Sequence, residues 1–358
     1  MNVKLNHLRK KLILFLILSV NILSAQKVWD STYYVKYKSR LIISLFQSYR
    51  HYETELSQFL TKDSLSKSKI LYYAQANNIS GIEVNYDKIN FSFGYASIPP
   101  SDPKKTGKTN HFNLGLNVGG NKWILETNYR RYQGFYNRNT SNYDTGFAKT
   151  GIYTQFPHMT STSYKMKFLY FTNSKRFSFK SGYSCSYRQI KSSFSWVITA
   201  NGYYNTINND SSMIPRQLYK FYDTHSSLKG LDVAAVSVYG GASFNLVLWR
   251  ALFVNLTALV GPEEQWRTYK NAGKDTLHYN RTTFYNSISG DLRASIGLNF
   301  KRWFVTLSSV NDFSWYKSND VMMISKYVNG QFALGYRFKV KTPKIYQKFQ
   351  QTKLYSYM

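Results

Sequence analysis

The stretch DLRASIGLNF, residues 291–300, alternates small or polar residues with apolar ones. The apolar row is Leu292, Ala294, Ile296, Leu298 and Phe300, and the other row is Asp291, Arg293, Ser295, Gly297 and Asn299. Successive side chains of a β-strand point to opposite faces, so a period of two predicts a strand with one apolar and one polar face.

The same alternation recurs along most of the chain, for example over 89–95, 112–118, 252–260 and 332–338. It predicts about twelve strands, with ten or fourteen as open alternatives. Their expected positions are 40–49, 79–86, 88–98, 110–118, 122–134, 160–173, 176–198, 230–247, 250–264, 283–300, 303–316 and 322–339. The strand at 176–198 must run unusually far without a turn.

The links between these strands are alternately short and long. Short links are predicted at 87–88, 119–121, 173–175, 248–250 and 301–302, and long polar links at 50–78, 99–109, 135–159, 199–229 and 263–282, with a shorter last one at 317–321. Outer-membrane barrels have short periplasmic turns and long outer loops. We therefore expect an all-β fold: one transmembrane antiparallel up-and-down β-barrel over residues 40–339, with both termini in the periplasm.

The first residues have the layout of a secretory signal peptide. Lys4, Arg9, Lys10 and Lys11 precede an apolar run over 12–23, and Ser24 and Ala25 offer small residues for cleavage. The run is too short for a spanning helix, which needs about 20 residues. We expect a signal peptide at 1–25, a periplasmic segment at 26–39 and a basic periplasmic tail at 340–358.

The composition fits a barrel and excludes several other classes. Aromatic residues make up 18% of the chain, the formal net charge is +29, and mean hydropathy is −0.41. A helical membrane protein would be more apolar, and the single cysteine, Cys185, excludes an intrachain disulfide framework. The basic residues are dispersed and no nucleic-acid motif occurs, so the expected partners are anionic lipid and lipopolysaccharide, not nucleic acid.

Barrels in outer membranes carry aromatic residues at both lipid interfaces. The alternation assigns this role to Phe91, Phe93, Tyr95, Trp123, Phe168, Tyr170, Phe177, Phe179, Trp249, Trp303, Tyr336 and Phe338.

The opposite rows place charged residues in the lumen, with cations in excess. They are Glu83, Lys88, Lys122, Glu126, Arg130, Lys165, Lys167, Lys180, Asp291, Arg293 and Arg337. Two interpretations stay open. Rings of Lys and Arg select anions in pores, which predicts a narrow anion-favouring path. Alternatively, Glu126, Arg130, Asp291 and Arg293 pair across the lumen and close it.

The sequence contains no convincing catalytic constellation, so we expect no enzyme activity and no cofactor or metal site. The nearest candidates are His158 and His225, which have hydroxyl residues close by in sequence, as a lipid-modifying enzyme would require. The leading hypothesis is a structural or interaction component of the envelope.

Two segments resemble known outer-membrane proteins. Ala333–Phe338 is similar to the aromatic-ended last strand by which such barrels are recognised for insertion, although twenty residues follow it. Residues 37–136 resemble an uncharacterised family of Bacteroidetes outer-membrane proteins, in the first strand (Lys38-Ser39-Arg40-Leu41) and in the entry to the second (residues 77–81). The resemblance implies a barrel in the outer membrane and no established activity. The barrel-assembly machinery and envelope proteins or glycans are the further partners expected.

Overall fold

In the computed structural model, strand pairing closes on itself. The structure describes residues 29–58, 68–97, 102–222, 226–271, 280–315 and 321–357. Its strands are β1 Tyr34–Lys36, β2 Arg40–Gln58, β3 Ile70–Ala74, β4 Asn78–Tyr86, β5 Ile89–Ala96, β6 Asn110–Gly119, β7 Trp123–Asn137, β8 Gln155–Phe171, β9 Tyr187–Gln189, β10 Ser193–Asn208, β11 Leu228–Leu248, β12 Leu252–Asn271, β13 Asn280–Asn299, β14 Trp303–Trp315 and β15 Val321–Lys339.

Twelve strands of the described ranges form the barrel wall, and each pairs antiparallel with its neighbours. They are β2, β4, β5, β6, β7, β8 and β10 to β15. The wall closes where β15 pairs with β2, from Lys339↔Arg40 to Val321↔Gln58. The predicted fold, an all-β antiparallel barrel of about twelve strands, is confirmed.

Alternation along each strand separates an apolar outer surface from a polar lumen. On β12, Asn255 and Thr257 are fully buried inside, whereas Leu256 and Val260 are each more than half exposed outside. The same apolar exposure recurs on β10, β13 and β15. A surface this apolar is unfavourable in water and matches the hydrocarbon of a bilayer.

The wall changes composition towards its loop end. Strands β4, β5 and β6 are short, and beyond them β3 pairs with β2 (Leu56↔Ile70) and with β7 (Tyr72↔Asn137). The prediction of a loop over 50–78 was therefore partly wrong. The first strand continues to Gln58 with polar residues on both faces, and such a stretch loses the apolar row that identifies a strand.

Strand β7 extends past its predicted end because of a glycine. The register shifts between Gln133 and Phe135, which is a β-bulge, and Gly134 there has φ +89°. A Cβ at this position would overlap the carbonyl of Lys108. The glycine thus bends the strand without ending it.

The largest correction concerns the long strand predicted over 176–198. Only β10, from Ser193, belongs to the wall. Residues 173–192, which we call the plug, form a turn, a short helix (Lys180–Tyr183) and β9. Strand β9 pairs with β1 and not with the wall.

The α-helices of the described residues are all short. They are α1 Pro103–Thr106, α2 Phe147–Thr150, α3 Lys180–Tyr183, α4 Tyr219–Tyr222, α5 Lys344–Gln350 and α6 Lys353–Tyr357. None of those in the described ranges is long and apolar enough to cross a membrane.

Candidate functional site

The lumen is the part of the barrel that could carry a function, and the plug occupies its turn end. The turn end is the end that carries the short links at 87–88, 120–122, 249–251 and 300–302. Phe177 and Phe179 are buried, and their rings lie 5.8 and 5.1 Å from that of Phe171. Their prediction as lipid-facing aromatics was wrong. The plug has the period-two pattern of a strand, but its apolar row faces the inside.

Polar side chains of the wall hold the plug by its backbone carbonyls. Arg337 donates to the carbonyl oxygen of Cys185 at 2.6 Å and to that of Phe300 at 2.6 Å. Asn245 Nδ2 donates to the carbonyl of Ser178 at 2.8 Å. Hydrogen bonds to a charged group contribute about 1.5–3 kcal/mol each. Arg337, predicted to line the lumen, therefore lies inside the barrel as an anchor of the plug.

Lys180 also anchors the plug, but here the plug supplies the donor and the barrel supplies the acceptors. Its Nζ donates to the carbonyl oxygens of Gly119 at 2.5 Å and of Asp87 at 3.4 Å. Burial lowers the pKa of Lys180 to about 7. The sequence placed Lys180 on a wall strand, which was wrong, because it lies on α3 within the plug.

Above the plug, charged side chains from four strands form a connected network. Arg293 lies 2.8 Å from Glu126 and 2.7 Å from Asp291. Lys167 contacts the same Asp291, and Lys165 Nζ lies 2.7 Å from Asp312. The six members, Glu126, Lys165, Lys167, Asp291, Arg293 and Asp312, carry three charges of each sign. The cationic excess expected of the lumen is absent from this network.

The network also contacts the plug, because the Arg293 guanidinium lies 5.5 Å from the Phe179 ring. Buried ion pairs are strongly destabilising to break, since the remaining partner is left as an uncompensated charge. The charges therefore tie β7, β8, β13 and β14 together across the lumen.

The other predicted lumen residues lie elsewhere. Arg130 points inwards and stacks 3.9 Å from the Tyr327 ring, and Glu83 accepts from Asn85 and Asn90 lower on the wall. Lys88 and Lys122 were misplaced, because they lie at the turn end in the links that follow β4 and β6.

Asp312 is the network member that sequence reasoning missed. It continues the inward row Phe304, Thr306, Ser308 and Val310 of β14, so the alternation contained the signal.

Two cavities of about 140 and 240 Å³ lie within the lumen. Arg130, Lys165, Asp312 and Tyr327 line both of them. Since a water molecule occupies about 30 Å³ in the liquid, each cavity has room for several waters.

The loop end is covered by a lid, residues 209–222. Met213, Ile214, Leu218 and Tyr222 are buried against a cluster that includes Leu56, Ile70 and Tyr72. Tyr72 Oη donates to the carbonyl of Met213 at 2.6 Å, and Tyr222 Oη donates to that of Ser68 at 2.5 Å. Apolar packing is thus the main force that holds the lid.

Ten of the twelve predicted interface aromatics lie on the outer surface. Phe91, Tyr95, Phe168, Trp303, Tyr336 and Phe338 are exposed, as is Trp249 in its turn, and Phe93, Trp123 and Tyr170 are half-buried among outward neighbours. The Trp123 and Phe168 rings stack at 5.7 Å.

The candidate catalytic histidines acquire no supporting geometry. His158 Nδ1 lies 3.8 Å from Asp210, with both side chains exposed, and His225 lies outside the described residues. Within the described ranges, no group of three or more His, Cys, Asp or Glu could hold a metal ion.

The family model described as Domain of unknown function (DUF4421) matches residues 28–338. The chain belongs to this family. The matched range includes the plug and every wall strand except the last residue of β15, so the barrel with its plug is the DUF4421 unit of the chain.

No curated protein sequence matches the chain. Among solved structures, it is similar to the outer membrane protease OmpT from Escherichia coli (8% identity, 85% of this chain and 98% of that chain covered, TM-score 0.39). It is also similar to the translocator domain of the autotransporter NalP from Neisseria meningitidis (9% identity, 95% and 98% covered, TM-score 0.31).

Proposed function

We propose that this DUF4421 protein is a closed barrel of the outer membrane that serves the envelope as a structural or interaction component, without an open pore. The single observation that carries the proposal is the plug. It fills the turn end with buried aromatic rings and is held from both sides, by Lys180 and by Arg337.

Two further layers support a closed lumen. The charged network is balanced, so its members satisfy one another instead of presenting free cations to a passing anion. The lid adds a packed apolar cluster at the loop end. The anion-favouring pore is therefore the weaker alternative, and the exposed His158–Asp210 pair gives the lipid-modifying enzyme no support.

The outer surface of the barrel and the links between its strands support a location in the outer membrane. An apolar band with aromatic residues fits the bilayer, and the alternation of short and long links fits insertion from the periplasm. Outer-membrane lipid and lipopolysaccharide are then the immediate neighbours of the wall, and the barrel-assembly machinery is the partner for insertion. The long loops remain available to envelope proteins or glycans.

Planar-bilayer recording from the purified protein tests the proposal. We expect no steady conductance from the wild type, and openings from a variant in which a short Gly-Ser linker replaces residues 176–190. Steady, large conductance of the wild type would contradict a closed barrel. A salt-gradient measurement in that case distinguishes the anion-favouring pore, which predicts a reversal potential shifted towards the anion and a smaller shift after charge reversal at Lys165 and Lys167.

A further inference from the structure

A basic cavity lies at the turn end, separate from the lumen network. Its volume is about 230 Å³, and four parts of the chain enclose it: the segment before β2, the links that carry Lys88 and Lys122, the plug, and helix α6 of the tail. Its lining includes five lysines, Lys36, Lys38, Lys88, Lys122 and Lys175, and one acid, Asp87.

Aromatic rings, not acids, hold these lysines in place. Lys36 Nζ lies 4.4 Å from the centre of the Trp29 ring and 5.8 Å from those of Tyr34 and Tyr187. Lys38 Nζ lies 5.3 Å from the same Trp29 ring. A cation over an aromatic face is attracted to it without being neutralised.

The tail fixes a further lysine. Lys88 Nζ donates to the carbonyl of Tyr355 at 2.5 Å and lies 3.6 Å from the centre of its ring. Asp87 is engaged by the tail as well, since its Oδ2 accepts from the Tyr346 and Tyr355 hydroxyls at 3.1 and 2.6 Å. No salt bridge joins Lys36, Lys38 or Lys88 to an acid within the described residues.

One carboxylate, Asp87, lies among these five lysines and compensates them only in part. The remaining cations raise one another's energy, and a bound anion would relieve the repulsion. Burial and the neighbouring lysines lower the pKa of Lys36 to about 8, and burial lowers that of Lys88 to about 8. The cationic groups of the cavity lining are all ammonium groups, and the lining contains no arginine. Lysine binds phosphate as a point charge. Several such point charges around one cavity favour an anion that carries more than one negative charge.

We propose that the turn-end cavity is a binding site for a phosphate monoester, with Lys36, Lys38 and Lys88 as its principal ligands. A phosphate monoester brings about two negative charges and three acceptor oxygens to a cavity of this size. The site needs the plug in place, because Tyr187 of β9 is paired with Lys36 of β1. It does not depend on whether the lumen conducts.

The test is calorimetric titration of inorganic phosphate into the full chain in detergent micelles, at constant ionic strength. We expect binding that acetate does not reproduce. The double variant Lys36→Gln/Lys38→Gln should weaken binding about tenfold or more, since it removes two charge-assisted contacts. The matched control Lys301→Gln/Lys341→Gln removes two exposed lysines from the same end and should change the affinity less than about twofold.

Equal losses in the two pairs, or equal binding of acetate, would overturn the site in favour of general attraction to a basic surface. If the double variant does not fold, Lys38→Gln alone replaces it, because that side chain is exposed. Competition distinguishes the source of the phosphate. Displacement by glycerol 1-phosphate indicates a soluble ester, displacement only by phosphatidic acid in mixed micelles indicates a lipid headgroup, and displacement by neither contradicts the proposal.

Discussion

The plug and the lid close opposite ends of one barrel by different physical means. The plug is held through charged and amide side chains that donate to backbone carbonyls, whereas the lid is held by apolar packing with tyrosine hydroxyls at its edge. Directional hydrogen bonds fix a segment in one orientation. Apolar packing tolerates repacking at similar volume. The plug should therefore be sensitive to single substitutions of polar residues, and the lid to loss of volume.

The largest effect is expected from Arg337→Met. The change removes the donor from the carbonyls of Cys185 and Phe300 and leaves both acceptors buried, which should lower the free energy of unfolding by about 4 kcal/mol. Urea unfolding in phospholipid vesicles measures it, with the exposed Arg302→Met as control. A plug that leaves the barrel would also produce conductance in bilayers. An equal, small effect of both variants would show that the plug is held in some other way.

In the lid, Met213→Ala removes a fully buried side chain from the apolar cluster. Such deletions cost about 3 kcal/mol, because the cavity left behind collapses only in part. Ile152→Ala, a half-exposed position at the same end, is the control and should cost far less. Met213→Leu keeps the volume and should recover most of the stability. Failure of that rescue would contradict a lid held by packing.

The same contrast shows how much of the wall, the plug and the charged network can be predicted from the sequence. The wall strands could be predicted because each strand has a lipid face and a lumen face, and this asymmetry produces the alternation in the sequence. The plug could not be predicted, because Phe177 and Phe179 alternate in the same way while facing the interior. A period of two does not say which face contacts lipid. Part of the network could be predicted: the inward rows gave Glu126, Asp291 and Arg293, and their pairing across the lumen was one of the two interpretations. Arg130, assigned to the same pairing, stacks on Tyr327 instead, because alternation gives the face of a side chain but not its partner across the lumen.

A smaller effect separates packing from hydrogen bonding within the lid. Tyr222→Phe keeps the ring and removes the hydroxyl that donates to the carbonyl of Ser68, so we expect a loss of about 2 kcal/mol. Tyr219→Phe on the same helix is exposed and should change the stability by less than about 0.5 kcal/mol. Similar values for the two variants would mean that the hydroxyl contributes nothing and that packing alone holds the lid.

The smallest effect is the change in stability over one pH unit, to which Lys180 of the plug contributes. The folded-state pKa of Lys180 is about 7, below its unfolded value of about 10.4, so the unfolded chain binds more protons between these values. The contribution of Lys180 should therefore raise the free energy of unfolding by about 1 kcal/mol between pH 7 and pH 8. A neutral amine retains two N–H groups, which match the two carbonyls it contacts. Lys36 and Lys88, whose pKa values are lowered to about 8, add to the rise. Lys180→Met should remove the part of the rise that Lys180 contributes, and Lys191→Met, exposed in the same plug, should leave the rise unchanged. An unchanged slope in Lys180→Met would assign the titration to other groups.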